Sequence, residues 1–156
     1  MHPTRQVPRW APALHFAAVG SWYTIGLSLG LGLGLGVVLV GILGSNVFGV
    51  GVGVVVGAAL GVSLGLAIGD TAEAIAAGVG GSLGALSAAA AVHGALRRGG
   101  TRIGIAAYLG VLGLVICLVA LIPAVGYVEA VAIPLLAARM RGRQAARFAG
   151  LRTLAK

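Results

Sequence analysis

The sequence predicts an all-α integral membrane protein: a small polytopic helical bundle of four to five transmembrane helices, with a glycine-zipper hairpin and a basic C-terminal helix. Two observations carry this. The 156 residues have a mean hydropathy of +1.06, with 59% hydrophobic and only 9% charged residues, too little charge to clothe a water-facing surface. The apolar material is also contiguous. From Trp10 to Ile68 there is no Asp, Glu, Lys or Arg, a stretch far longer than the roughly 20 residues that cross a hydrocarbon core about 30 Å thick.

Residues 1–21 form a polar arm and an interfacial segment. Met1 to Arg9 is polar and contains Pro3 and Pro8, and Trp10 to Val19 is apolar with Pro12 and His15. Arg5 and Arg9 could head a signal peptide, but the following apolar stretch is too long and lacks a small-residue cleavage site, so the chain reads as mature. Trp22 and Tyr23 read as an aromatic belt at a membrane boundary. The first span covers 22–43, Gly44-Ser45-Asn46 has turn chemistry, and the second span covers 47–68. Asp70 and Glu73 then interrupt the apolar run.

A third, alanine-rich span covers 71–96, where Ser82, Ser87 and His93 point to helix neighbours rather than lipid. Arg97, Arg98, Gly99, Gly100 and Arg102 form a basic loop. Ile103 to Ala138 would make a single helix about 54 Å long, too long for one crossing. Pro123 and Gly126 break it, giving a fourth span, 103–122, and a short fifth, 124–138, which contains Pro134 and is re-entrant or steeply placed. The tail, 139–156, is a basic amphipathic helix. Arg139, Arg143 and Arg147 repeat every four residues and, with Arg152, face anionic lipid headgroups, while Met140, Phe148, Leu151 and Leu154 supply apolar contact.

The distribution of Lys and Arg sets orientation. Five spans with the N-terminus outside leave Arg97, Arg98, Arg102, Arg139, Arg141, Arg143, Arg147, Arg152 and Lys156 inside and only Arg5 and Arg9 outside. Four spans with both ends inside come second. The expected setting is a multi-pass protein of a prokaryotic inner membrane with a cytoplasmic C-terminus. The period-2 runs of Leu-Gly and Val-Gly do not make a membrane barrel, because both phases are apolar and no polar lumen face results.

Glycine spacing is the strongest motif. Gly49, Gly53, Gly57, Gly61, Gly65 and Gly69 recur every fourth residue in and around the second span, and Gly26, Gly30 and Gly34 do so in the first, beside Gly32 and Gly36. Residues four apart share a helix face, so each row is a groove without side chains through which helices approach closely in lipid. The grooves pack the chain's own helices, or drive assembly into a homo-oligomer or docking as a subunit of a membrane complex. Glycine-rich hairpins with a nearby carboxylate resemble the rotor-ring subunit of ATP synthases. That family has two spans with its carboxylate in the middle of the second. Asp70 and Glu73 stand beyond the second span here, so its function is not carried over.

Among the ionisable residues, Glu129 lies in a stretch otherwise free of charge from Ile103 to Ala138. An acid at membrane depth points to a proton or cation site, facing His93 or Ser87 across the bundle. The alternative is a carboxyl that snorkels to the interface. Asp70 and Glu73 have the D-x-x-E spacing of a capping box, and with Glu129 could line an outer cation-attracting mouth. His2, His15 and His93 lack metal-ligand spacing, no nucleophile–base pair stands out, and no cofactor or enzymatic activity is expected. Cys117 is the lone cysteine. The net charge of +8 does not point to nucleic acid, because no basic patch is interleaved with aromatics. The favoured function is a membrane protein that uses glycine faces for tight packing, self-assembly or docking as an accessory subunit. The alternative is a small channel or transporter for protons or cations using Glu129.

Overall fold

The computed structural model describes residues 11–122 and 124–149, with side-chain surroundings for 20–122 and 124–141. The elements, in order, are α1 (Ala11–Leu43), α2 (Val47–Ile68), α3 (Thr71–Arg97), α4 (Arg102–Val119) and α5 (Val125–Ala149), with no strand among the described residues. Four stretches, Gly20–Leu43, Val47–Ile68, Thr71–Arg97 and Arg102–Val119, are long and apolar enough to cross a membrane, as a multi-pass membrane protein requires.

Local chemistry accounts for the helix ends. Gly44 N–H bonds back to the Val40 carbonyl at 2.8 Å, and the Asn46 side chain caps α2 by accepting from Gly49 N–H at 2.7 Å. Thr101 caps α4 in the same way, accepting from Gly104 N–H at 3.2 Å. α3 closes in a Schellman turn: Gly100 N–H reaches the Ala95 carbonyl and Gly99 N–H the Leu96 carbonyl. This turn needs the left-handed φ of +83° that Gly99 adopts.

Three boundaries differ from expectation. α1 starts at Ala11, so the interfacial segment and the first span are one helix of 33 residues. Pro12 falls in the first turn, where a missing N–H costs nothing. α4 stops at Val119 rather than Ile122, because Leu121 and Ile122 tighten into i→i+3 bonds ahead of Ala124, which takes a φ of +67°. α5 runs unbroken through Pro134 to Ala149, so the fifth segment and the start of the basic tail are one element. Pro134 gives up its own N–H bond to residue 130 and crowds that carbonyl with its ring, yet the helix continues past it.

α1, α3 and α5 run one way and α2 and α4 the other. One end of the bundle carries Trp22, Tyr23, Asp70, Glu73 and Tyr127. The opposite, basic end carries Arg97, Arg98, Arg102, Arg139 and Arg141. α1 and α3 form the centre, each touching all the other helices. α2 packs on both of them, α4 mainly on α1, and α5 on both. The buried core includes Leu33, Val37, Val40, Ala85, Ala88, Val92, Leu109 and Ile116. α4 and α5 barely touch each other although they are consecutive, which leaves a gap between them over α1 and α3.

Candidate functional site

The bundle is close-packed because α1 presents small residues on two faces. Thr24, Ser28, Gly32 and Gly36 recur every four residues, and the members with observed partners meet α3. A β-carbon on Gly32 would fall on the Ala77 carbonyl and one on Gly36 on the Gly81 carbonyl. Gly80 and Gly84 of α3 lie in the same way against the Leu29 and Leu33 carbonyls. Gly26, Gly30 and Gly34 form the second face. Gly26 lies under the ring of Tyr127, Gly30 against Ala120 and Gly126, and Gly34 against Gly113 and Cys117, so this row meets α4 and α5. With no side chain between the helices, backbones come within reach of dispersion and Cα–H···O contacts.

The α2 row drifts across two neighbours. Gly53 meets Val40 of α1, Gly57 stands near both Gly36 and Gly81, Gly61 meets Ala77, and Gly65 meets Glu73 and Ala74. Gly49 and Gly69 lie at the two turns, against the Leu43 carbonyl and the Glu73 carboxyl respectively. The row therefore faces α1 and α3 of its own chain, while Val55, Leu60 and Leu66 point outward.

The three acids are not brought together. Glu73 is 6% exposed. Its Oε1 accepts from the Thr24 hydroxyl at 2.6 Å and its Oε2 from Asp70 N–H at 3.0 Å, the latter being the reciprocal half of a capping box. Asp70 itself is exposed. Glu129 sits on another side of α1, with Oε2 3.1 Å from where a β-carbon on Gly30 would stand. That oxygen is buried and has no hydrogen-bond partner among the described residues. Thr24 and Gly30 are roughly 9 Å apart along α1 and about 120° apart around it, so α1 separates Glu73 from Glu129. The expected approach of Glu129 to His93 or Ser87 is also absent. Ser87 lines the gap between α4 and α5, and His93 lies near Arg97 and Arg141 at the basic end. Among the described residues, no group of three or more His, Cys, Asp or Glu is placed to hold a metal ion.

Several residues gain a role that their spacing did not announce. Thr24 holds Glu73, Cys117 points its sulfur at the Leu31 carbonyl at 3.7 Å, and Ser28 is fully buried with no partner for its hydroxyl among the described residues. The one legible hint was that Thr24 and Ser28 extend the row of Gly32 and Gly36. At the acidic end Tyr127 donates to the Trp22 carbonyl at 2.7 Å and Tyr23 to the Leu121 carbonyl at 3.1 Å. The Trp22 and Tyr127 rings stand 5.9 Å apart. At the basic end Arg141 donates to the Leu86 carbonyl at 2.9 Å. Arg139 is exposed. The side chains of Arg143 and Arg147, and Arg152 altogether, lie outside the described residues, as do Arg5 and Arg9.

Comparison with protein-family models, with curated proteins and with solved structures finds no match to this chain.

Proposed function

We propose that the chain is a small, non-enzymatic, multi-pass membrane protein that binds a proton or a cation at Glu129, in the class of small channels and transporters. The carrying observation is the buried Oε2 of Glu129, without a hydrogen-bond donor, at the meeting of α1, α4 and α5. An acid placed at depth without a partner is costly, and a bound proton or cation removes that cost. The glycines support this reading: Gly30 and Gly126 lend no donor but let α5 press the carboxyl against α1. The arginines of the basic end favour a cytoplasmic face there, which puts Glu129 toward the outer side.

The test is flux in liposomes reconstituted with the pure protein under an imposed proton or cation gradient. Wild type should carry a flux that Glu129→Gln abolishes and Asp70→Asn leaves in place. Wild type indistinguishable from empty liposomes, or Glu129→Gln equal to wild type, removes the reading.

A second reading, docking as a homo-oligomer or an accessory subunit of a membrane complex, is favoured by the peripheral place of α2. Its glycine row faces the bundle, so contact falls to its outward side chains, with Phe48 80% and Val55 69% exposed. Oligomeric state in nanodiscs, with Val55→Trp and Leu66→Trp beside wild type, tests it. A monomer in every case that purifies without companions removes it.

A further inference from the structure

The gap between α4 and α5 is a cavity of about 650 Å³, within the usual span of about 300–1,000 Å³ for ligand sites. Its long axis follows the helices, from Gly104 to Ile116 along α4, roughly 18 Å by helix rise. The two ends differ in chemistry. The deep end is closed by Val37, Ile116 and Ile133. The other end opens at Arg98, Gly100 and Thr101, with Arg141 from α5 along the wall. Arg98 and Arg141 are both exposed. No acid stands near them among the described residues: Asp70 and Glu73 are at the opposite end of α3, and Glu129 is roughly 18 Å back along α5.

We infer that this cavity is a binding site for one anionic phospholipid, its acyl chain lying between α4 and α5 and its phosphate held by Arg98 at the mouth, with the charge of Arg141 on the wall adding to the attraction. Charge complementarity selects the headgroup, because guanidinium groups bind phosphate through paired N–H donors. Arg141 commits one amino group to the Leu86 carbonyl, twelve residues back along α3 from Arg98, so its charge stands on the wall below the mouth with further donors free. The apolar walls select the chain. The axis selects the orientation: the arginine end coincides with the end of the bundle where basic residues gather, at headgroup level, and the apolar end reaches into the bilayer. A zwitterionic lipid would meet the same walls but bring no net charge to the arginines.

Native mass spectrometry of the full protein, delipidated and then titrated with phosphatidylglycerol and phosphatidylcholine of equal chain length, tests this site. One phosphatidylglycerol should bind, about tenfold more tightly than phosphatidylcholine, in line with a charge-assisted contact. Arg98→Gln with Arg141→Gln should erase that preference. Leu112→Trp, which fills the cavity and leaves the arginines in place, should weaken both lipids. Soluble glycerol phosphate should fail to displace the lipid. Equal affinity for the two lipids, an unchanged preference in the double arginine variant, or displacement by glycerol phosphate overturns the inference. Should Leu112→Trp lose its helical circular dichroism, the arginine pair, which lies on the exposed edge, decides alone.

Discussion

Gly57 of α2 and Gly81 of α3 face each other with no side chain between them, yet the two positions are not equivalent. A β-carbon on Gly81 would fall on the Gly57 carbonyl oxygen, whereas one on Gly57 would stop 3.2 Å from the Gly81 carbonyl oxygen. The Gly81 carbonyl also lies where a β-carbon on Gly36 of α1 would go, so this residue is where three helices converge.

The asymmetry sets the first expectation. Gly81→Ala should destabilise the bundle by about 1–3 kcal/mol, because backbone must move to admit the methyl group. Gly57→Ala should be near neutral, since a small shift is offset by better helix propensity. Gly51→Ala, where nothing lies within 4 Å, should stabilise by up to about 1 kcal/mol. Equilibrium unfolding in mixed micelles ranks the three, and equal effects at Gly81 and Gly51 would refute the packing account.

Thr24 and Ser28 should respond with opposite signs. Thr24→Val removes the donor to a Glu73 oxygen and should lower the thermal midpoint, while Thr24→Ser keeps the hydroxyl and holds it. Ser28→Ala deletes a buried hydroxyl that has no partner among the described residues and should stabilise by roughly 1 kcal/mol. Thermal unfolding of the purified variants reads both. A loss of stability in Ser28→Ala would mean that the hydroxyl has a partner.

Tyr127→Phe should cost about 1 kcal/mol, the worth of an ordinary hydrogen bond, because it frees the Trp22 carbonyl at the acidic end. The same change should loosen α5 against α1, read as faster hydrogen exchange in the first turns of α5. Unchanged exchange there would show that the Gly26 and Gly126 contacts hold α5 without the phenol.

Single cysteines in a Cys117→Ala background test the placement of the ends. Ser45→Cys and Gly100→Cys should label from one side of the membrane and Asp70→Cys from the other. Labelling of all three from one side would rule out the alternating arrangement of α1 to α4.

Much of the local structure was legible beforehand, for local reasons. Asp70 with Glu73 reads as a capping box, Gly44 to Asn46 as a turn and Gly99 with Gly100 as part of a loop, because such features need only a few neighbouring residues. Apolar length marked the four long helices. Pro134 does not end a helix: α5 continues through it, as helices at membrane depth tolerate proline. The acids were legible as exceptions in an apolar chain, but their surroundings were not.

By itself the sequence determined that the chain is helical, that four of its helices are long and apolar enough to cross a membrane, and which glycines share a helix face, since apolar length and a four-residue repeat act within one segment. Only the tertiary structure decided which neighbour each glycine face meets, that α1 stands between Glu73 and Glu129, and that α4 and α5 part to leave a cavity between them. The reason is physical: glycine brings no shape of its own, so a bare face admits any close partner, and the choice falls to how all five helices pack at once.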